Sequence, residues 1–239
     1  MGRDTVFGRN PAIEALKGER TIEKVILQEG STGSIGKIVS LAKDRGAKIE
    51  YRSKQDLDKL VGGKNHQGVI VLTSSYEYKE LEDLIDGDLL ILLDGIEDPH
   101  NLGAIMRTAE CVGASGIVIP KRRNVGLTDT VAKTSAGAIE HLPCARVTNM
   151  ASTIEKLKEY GLWICAADMD GQELWDCDLG GKLAIVIGNE GSGVSRLVKE
   201  KCDFTISIPM VGKITSLNAS NAAAVLMYEV FRQRTKKRV

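Results

Sequence analysis

The sequence predicts an α/β fold in two parts. Residues 5–75 alternate short strand-like runs with amphipathic helical stretches. From residue 89 a second alternating series begins, and its strand candidates are unbroken apolar runs. Between the two, the chain turns polar. The expected division is 1–75, a linker at 76–88, and a larger unit at 89–239, within the span of one large or two modest domains.

In the first part, NPAIEALKG (10–18) reads as a helix started by Asn10 and Pro11 and stopped by Gly18. EKVILQ (23–28) is a strand, SIGKIVSLAKDRG (34–46) an amphipathic helix and AKIEY (47–51) a strand. SKQDLDKLVG (53–62) is a short helix, with the Ser53 hydroxyl placed to accept from an orphan amide of the first turn. QGVIVLTS (67–74) closes the unit, and SSYEYKELEDLIDGD (74–88) leads into a short helix.

In the second part, the strand candidates are LLILLD (89–94), GIVIP (116–120), LWICAA (162–167), LAIVIG (183–188) and FTISIP (204–209). Strands that are apolar at nearly every position suit a parallel sheet covered on both faces. Helices are expected near 102–113, 128–138, 152–160, 193–200 and 217–234. They complete a parallel sheet with helices on both sides. The basic end, RQRTKKRV (232–239), is expected to fray.

Lys plus Arg and Asp plus Glu balance at 32 each, so no global field selects a polyanion or a membrane surface. The distribution is uneven: residues 1–79 carry a surplus of basic side chains and the remainder a surplus of acidic ones. Such a split suits one unit that meets a polyanion joined to one that does not. The five cysteines are scattered without a C-x-x-C pair, the pattern of reduced thiols. The chain opens without an apolar leader, and no apolar run approaches the roughly 20 residues of a membrane span. A soluble cytoplasmic protein with no membrane partner is expected.

Three segments carry candidate chemistry. The first is DGIEDPHNLGAIMRTAE (94–110), where Asp94, Glu97, Asp98 and His100 have the donor atoms of a metal site. Asp94 ends a strand and Pro99 stiffens the turn, however, so these short carboxylates serve better as caps for loop amides. The second, IVIGNEGSGVSRL (185–197), is a strand, a glycine-rich loop and a helix. Its glycines at 188, 191 and 193 fit neither G-x-G-x-x-G nor a P-loop. Glu190 in that loop would repel a phosphate, so a ligand with a cationic or neutral portion fits better. The third, ISIPMVGKITSLNASNAAAVLMYEVFRQR (206–234), ends a strand at Pro209. It continues through the hydroxyls of Thr215 and Ser216 into a helix lined with small residues.

In order and spacing, these segments resemble the signature motifs of the SpoU/TrmH family of RNA ribose 2′-O-methyltransferases. The matching stretches are NLGAIMRTA (101–109), VIGNEGSGV (186–194) and IPMVGKITSLNASNAAAVLMYE (208–229), with AKTSAGAIEHLP (132–143) between. FGRNPAIEAL (7–16) and KNHQGVIV (64–71) resemble the small ribosomal-protein-like α/β domain that binds substrate in the subgroup acting on large-subunit ribosomal RNA. The resemblance implies that 1–75 binds RNA and that 89–239 is a methyltransferase domain with a deep trefoil knot. It also implies S-adenosyl-L-methionine as cofactor, a homodimer through the knotted region and no metal.

Carried over residue by residue, the resemblance gives Gly188, Ile208, Met210, Ser216 and Leu217 to the cofactor. It gives Asn101, Arg107, Glu190, Ser216 and Asn218 to catalysis, with Asn101 orienting Arg107 and Arg107 engaging the target ribose. A guanidinium stays protonated, so Arg107 is expected to stabilise the developing alkoxide rather than act as a base. Glu190 either takes part directly or organises its own loop. Asn218 and Ser220 are expected to hold the first motif in place. Arg9, His66 and Gln67 in the small unit, and Lys121 and Arg122 with Arg123 in the large one, are candidate RNA contacts. The ribosomal target expected is a guanosine of the large subunit. The alternatives are a transfer-RNA substrate or a non-catalytic RNA-binding or assembly protein on the same scaffold, while a dehydrogenase would lack its fingerprint.

Overall fold

The computed structural model describes residues 3–236 and resolves into two compact units. One runs from the N-terminus to Glu77 and takes in Leu127–His141; the other is Tyr78–Gly126 with Leu142 to the C-terminus. The segment 127–141, which the sequence reading places in the larger unit, packs with the smaller one.

The smaller unit contains β1 (Arg3–Phe7), α1 (Arg9–Lys17), β2 (Ile22–Gln28), α2 (Ile35–Asp44), β3 (Lys48–Arg52), α3 (Lys54–Leu60) and β4 (Val69–Ser74). Its sheet has the order β1-β4-β2-β3, with β2 and β3 parallel and the β1–β4 and β2–β4 pairs antiparallel. Ser53 caps α3 as expected, accepting from the Asp56 amide at 3.2 Å. β1 is absent from the sequence reading because its first residues, RDT, carry no apolar period. α1 starts at Arg9 rather than Asn10. Gly8, at φ 98°, turns the chain out of β1 through a conformation that a side chain disfavours.

The inserted segment is a helix, α5 (Asp129–Thr134), followed by a 3-10 turn, Ala138–Glu140. Arg20 ties it down. Its Nε and Nη2 donate to the two Glu140 carboxylate oxygens at 3.0 and 2.8 Å, and its Nη1 donates to the Ser74 carbonyl at 2.9 Å. The guanidinium lies 3.6 Å from the centre of the Tyr76 ring, whose hydroxyl also donates to Glu140 at 2.8 Å. His141 Nε2 meets Glu14 at 2.9 Å.

The larger unit's elements are β5 (Leu89–Asp94), α4 (Pro99–Cys111), β6 (Gly116–Pro120), β7 (Cys144–Val147), α6 (Met150–Glu159), β8 (Trp163–Glu173), β9 (Leu183–Gly188), α7 (Arg196–Lys199), β10 (Phe204–Ser207) and α8 (Ala219–Lys236). The strands form one parallel sheet in the order β10-β8-β9-β5-β6-β7. β7 escapes the sequence reading as a four-residue edge strand behind Pro143. α7 is a single turn, because Gly193 holds φ 65° and its amide is spent on Asn189. α8 continues to Lys236, so the end expected to fray from Arg232 is helical that far; 237–239 lie outside the described residues.

Alternate residues explain the unbroken apolar runs. Leu90, Leu92, Val118, Ile164 and Val186 pack in one core with Ile154 and Leu157 of α6. The intervening Leu89, Ile91, Leu93, Ile117 and Ile185 are buried as well. Each such side chain contributes about 1.5–3 kcal/mol on burial. α4 packs against α8. The buried Gly103 and Ala109 of α4, and Ala219 and Ala223 of α8, keep bulk out of the way of close packing. No helix among the described residues is long and apolar enough to cross a membrane.

All five cysteines are free thiols. Burial pushes the Cys144 thiol up to about 12 and the Cys165 thiol higher still, whereas Cys111 is exposed. At pH 8, iodoacetamide is therefore expected to modify Cys111 and to spare Cys144 and Cys165 in the native protein, as read by peptide mass spectrometry. Equal labelling of all three would contradict the burial.

Candidate active site

The site forms at the carboxyl edge of the larger sheet, where open α/β folds collect their functional loops. Asp94 and Gly188 are paired across the β5–β9 ladder, so the loops after these strands leave side by side. Asp94 accepts from the Ser195 amide at 2.8 Å, and Asp98 caps α4 by accepting from the His100 amide at 2.8 Å. These carboxylates cap loop amides, as their positions suggested. Among the described residues no group of three or more His, Cys, Asp or Glu is arranged to hold a metal.

The loop after β9 closes on itself. Asn189 and Gly193 exchange backbone hydrogen bonds at 3.1 and 2.8 Å. The Asn189 side chain accepts from the Gly191 amide and donates to the Gly95 carbonyl, each at 2.8 Å. A side chain at 188 would start 2.1 Å from the Gly193 backbone, so only glycine fits there. Asn189 was missed in the sequence, although an asparagine between glycines is a recognisable turn former.

Three segments far apart in the chain meet through three side chains. Asn101, buried in the first turn of α4, donates from Nδ2 to Glu190 Oε1 at 2.8 Å. Asn218, just before α8, donates from Nδ2 to Asn101 Oδ1 at 3.1 Å and also to Glu190 Oε1. Its Oδ1 accepts from the Ser220 amide at 2.9 Å and the Ser220 hydroxyl at 2.6 Å. One asparagine thus starts a helix and locks the junction. Replacing Asn218 by alanine is expected to cost about 1–3 kcal/mol, because Asn101 Oδ1 loses its donor and Glu190 loses one of two. Chemical denaturation of the variant beside the wild type measures this, and an unchanged midpoint would deny the junction its structural weight.

Arg107 stands apart from this triangle. It lies six residues beyond Asn101, about 9 Å along the helix and a third of a turn around it. The Asn101 side chain spends its hydrogen bonds on Glu190 and Asn218, so the expectation that it orients Arg107 directly is corrected. Arg107 is exposed, and no ion pair to Glu110 or to any other described residue holds it. Ile208 is half-buried, while Met210, Ser216 and Leu217 lie exposed on the loop that joins β10 to α8.

The remaining candidates divide between the units. In the smaller one, Arg9, His66 and Gln67 line an open cleft of about 810 Å³ with Lys54 and Lys64. Arg9 donates from Nε to the Gln67 carbonyl at 3.1 Å. His66 is buried; its Nδ1 accepts from the Gly68 amide at 3.0 Å and its Nε2 meets Asp58 at 3.1 Å. Both ring nitrogens are engaged, so His66 shapes the cleft rather than offering a free donor to a ligand. Lys121 and Arg122 are exposed on the turn after β6 in the larger unit.

Residues 88–228, more than half of the chain, match the SpoU rRNA Methylase family. The chain belongs to that family. Residues 5–79 of this SpoU chain match a second description, RNA 2′-O ribose methyltransferase substrate binding. YacO of Bacillus subtilis (strain 168), named for the TrmH family of tRNA/rRNA methyltransferases, is 52% identical over 240 residues, covering 97% of this chain and 96% of that protein. The SpoU methyltransferase AviRb from Streptomyces viridochromogenes, solved in complex with the cofactor AdoMet, shares the fold. Its TM-score is 0.85 at 24% identity, over 98% of this chain and 92% of that one. A solved RNA 2′-O ribose methyltransferase is 26% identical with TM-score 0.79, over 98% and 89%. The parallel-sheet α/β fold of the SpoU methyltransferases, with a substrate-binding domain before it, is thus present in this chain.

Proposed function

We propose that the protein methylates a ribose 2′-hydroxyl of RNA with S-adenosyl-L-methionine, and that its substrate is a guanosine of large-subunit ribosomal RNA, as for the RlmB type. The junction of Asn101, Glu190 and Asn218 carries this reading, because it holds all three signature segments at one sheet edge.

The residues present fit the cofactor. Gly188 lets the loop after β9 fold closely back on its strand, Ile208, Met210 and Leu217 offer apolar walls to an adenine, and the Glu190 carboxylate suits a cationic sulfonium. When bound, S-adenosyl-L-methionine supplies an electrophilic methyl on a good leaving group. The chain's task is then position and charge. Arg107, exposed and without a partner among the described residues, stabilises the negative charge that develops on the 2′-oxygen. Glu190 Oε1 accepts from two amide donors and so organises the loops, and the hydroxyl proton leaves to water or to a phosphate of the RNA. The cleft around Arg9, Gln67, Lys54 and Lys64 receives the fold of the RNA, with Lys121 and Arg122 on its phosphates.

Exposed apolar side chains support a homodimer. Val211 and Ile214 on the loop before α8 are strongly exposed, as are Tyr228 and Phe231, whose rings meet edge to face at 6.1 Å. Exposed apolar side chains of this size, on the loop before α8 and on α8 itself, suit surfaces that another chain covers.

The experiment is calorimetric binding of S-adenosyl-L-methionine, then transfer of a labelled methyl to purified ribosomal and transfer RNA, with mapping of 2′-O-methyl sites. Label in a large-subunit guanosine ribose is the expected result. Label in transfer RNA would overturn the substrate, and binding without transfer would overturn the enzyme.

A further inference from the structure

Resting on that reading, we propose that Asn124 is a positioning residue for RNA: it clamps the basic turn Lys121–Arg123 to the loop that opens α4, and so sets phosphate-binding cations beside the helix that carries Asn101 and Arg107.

The turn leaves β6 and is pinned at both ends. At its start the Lys121 amide donates to the Val147 carbonyl at 2.8 Å, and Arg146 Nη2 donates to the Lys121 carbonyl at 3.2 Å. At its end Asn124 Oδ1 accepts from the Ile96 amide at 2.8 Å, while Asn124 Nδ2 donates to the Val125 carbonyl at 2.8 Å. The Val125 amide donates to the Ile96 carbonyl at 2.9 Å. Ile96 is buried and precedes the Asp98 cap of α4 by two residues, so the turn is fixed to the segment that starts the catalytic helix.

Between the pins, Arg123 holds φ 57°, a left-handed conformation that an arginine adopts only under constraint. Lys121, Arg122 and Arg123 are exposed, and no ion pair involving them forms among the described residues. A solvated charge run has no need of a strained residue between two anchors. Three cations held in one place, beside a site for RNA chemistry, fit the phosphodiesters that flank a target nucleotide.

The test uses the full-length protein with its RNA. Asn124→Ala is expected to raise the KM for RNA about tenfold, with kcat and the S-adenosyl-L-methionine dissociation constant nearly unchanged, because only the register of the phosphate contacts is lost. The salt dependence of RNA binding is expected to become shallower. Arg123→Gly, which gives up one cation together with the strain, supplies the second background, since glycine takes this conformation freely. In the Arg123→Gly background, Asn124→Ala is expected to add little to KM, and the cycle of four proteins reports the coupling. An unchanged KM in the single variant would overturn the proposal. So would a parallel fall of kcat and cofactor affinity, or an equal effect in both backgrounds. If the wild type transfers no methyl, the parent reading falls, and the clamp is then judged by RNA affinity from filter binding of the same four proteins.

Discussion

Replacing Arg107 with alanine is expected to lower methyl transfer about 10²–10³-fold, the usual loss when one preorganised donor to a developing oxyanion is removed. Binding of S-adenosyl-L-methionine should survive, because Arg107 takes no part in the Asn101–Glu190–Asn218 junction. Stability should survive too, since the side chain is exposed and makes no ion pair or hydrogen bond with the described residues. Arg107→Lys keeps the charge and loses the planar fork, so it should recover only part of the rate. Single-turnover measurements with saturating cofactor separate these effects. Near-normal transfer by either variant would remove Arg107 from the chemistry.

Replacing Glu140 with alanine is expected to cost about 3–5 kcal/mol in the smaller unit, the range for breaking a buried ion pair from one side. The Glu140 side chain is 2% exposed and its partner Arg20 11%. Without it, Arg20 keeps the Ser74 carbonyl, Asp4 and the Tyr76 ring, and the Tyr76 hydroxyl loses its acceptor. Hydrogen exchange in β1, β2 and β4 should accelerate, and unchanged protection would show that the network carries little. The same cluster sets a pH direction. Burial, and then the Glu140 charge, raise the Tyr76 hydroxyl well above its ordinary value near 10. A group raised on folding stabilises fully below its unfolded value and loses that contribution as pH climbs. The smaller unit should therefore weaken in alkali above about pH 10.

Much of this architecture is legible in the chain because one physical rule decided it. β5, β6 and β9 match their sequence readings end to end, since a strand buried on both faces must be apolar throughout. Elements held by context were not legible. β1 is a five-residue run with three polar residues first, held by its pairing with β4 and by the buried Val6 and Phe7, and β7 is a four-residue edge. Segment 127–141 reads as a continuation of the larger series, and contacts with distant residues, Arg20 and Tyr76 on Glu140 and Glu14 on His141, claim it for the smaller unit. At the site, residue types announced their motifs, but not which amide meets which carboxylate. Asn101 was expected to reach forward to Arg107 and instead reaches across to Glu190 and Asn218. Long-range hydrogen bonds of this kind leave no periodic trace in a single sequence.

The borrowed helix α5 has a practical consequence for anyone dissecting the gene. A fragment starting at residue 78 would carry Leu127–His141 away from its companions and bare Val131, Ala132 and Ile139 to solvent. The complementary piece, stopping at 77, would leave the guanidinium of Arg20 without the Glu140 carboxylate. Neither half should express well alone. A cleaner dissection would keep the front piece and graft the fifteen-residue excursion onto it through a short glycine–serine bridge, and would close the remainder with a flexible linker long enough to return from Gly126, beyond the end of β6, to Leu142, before the start of the parallel β7.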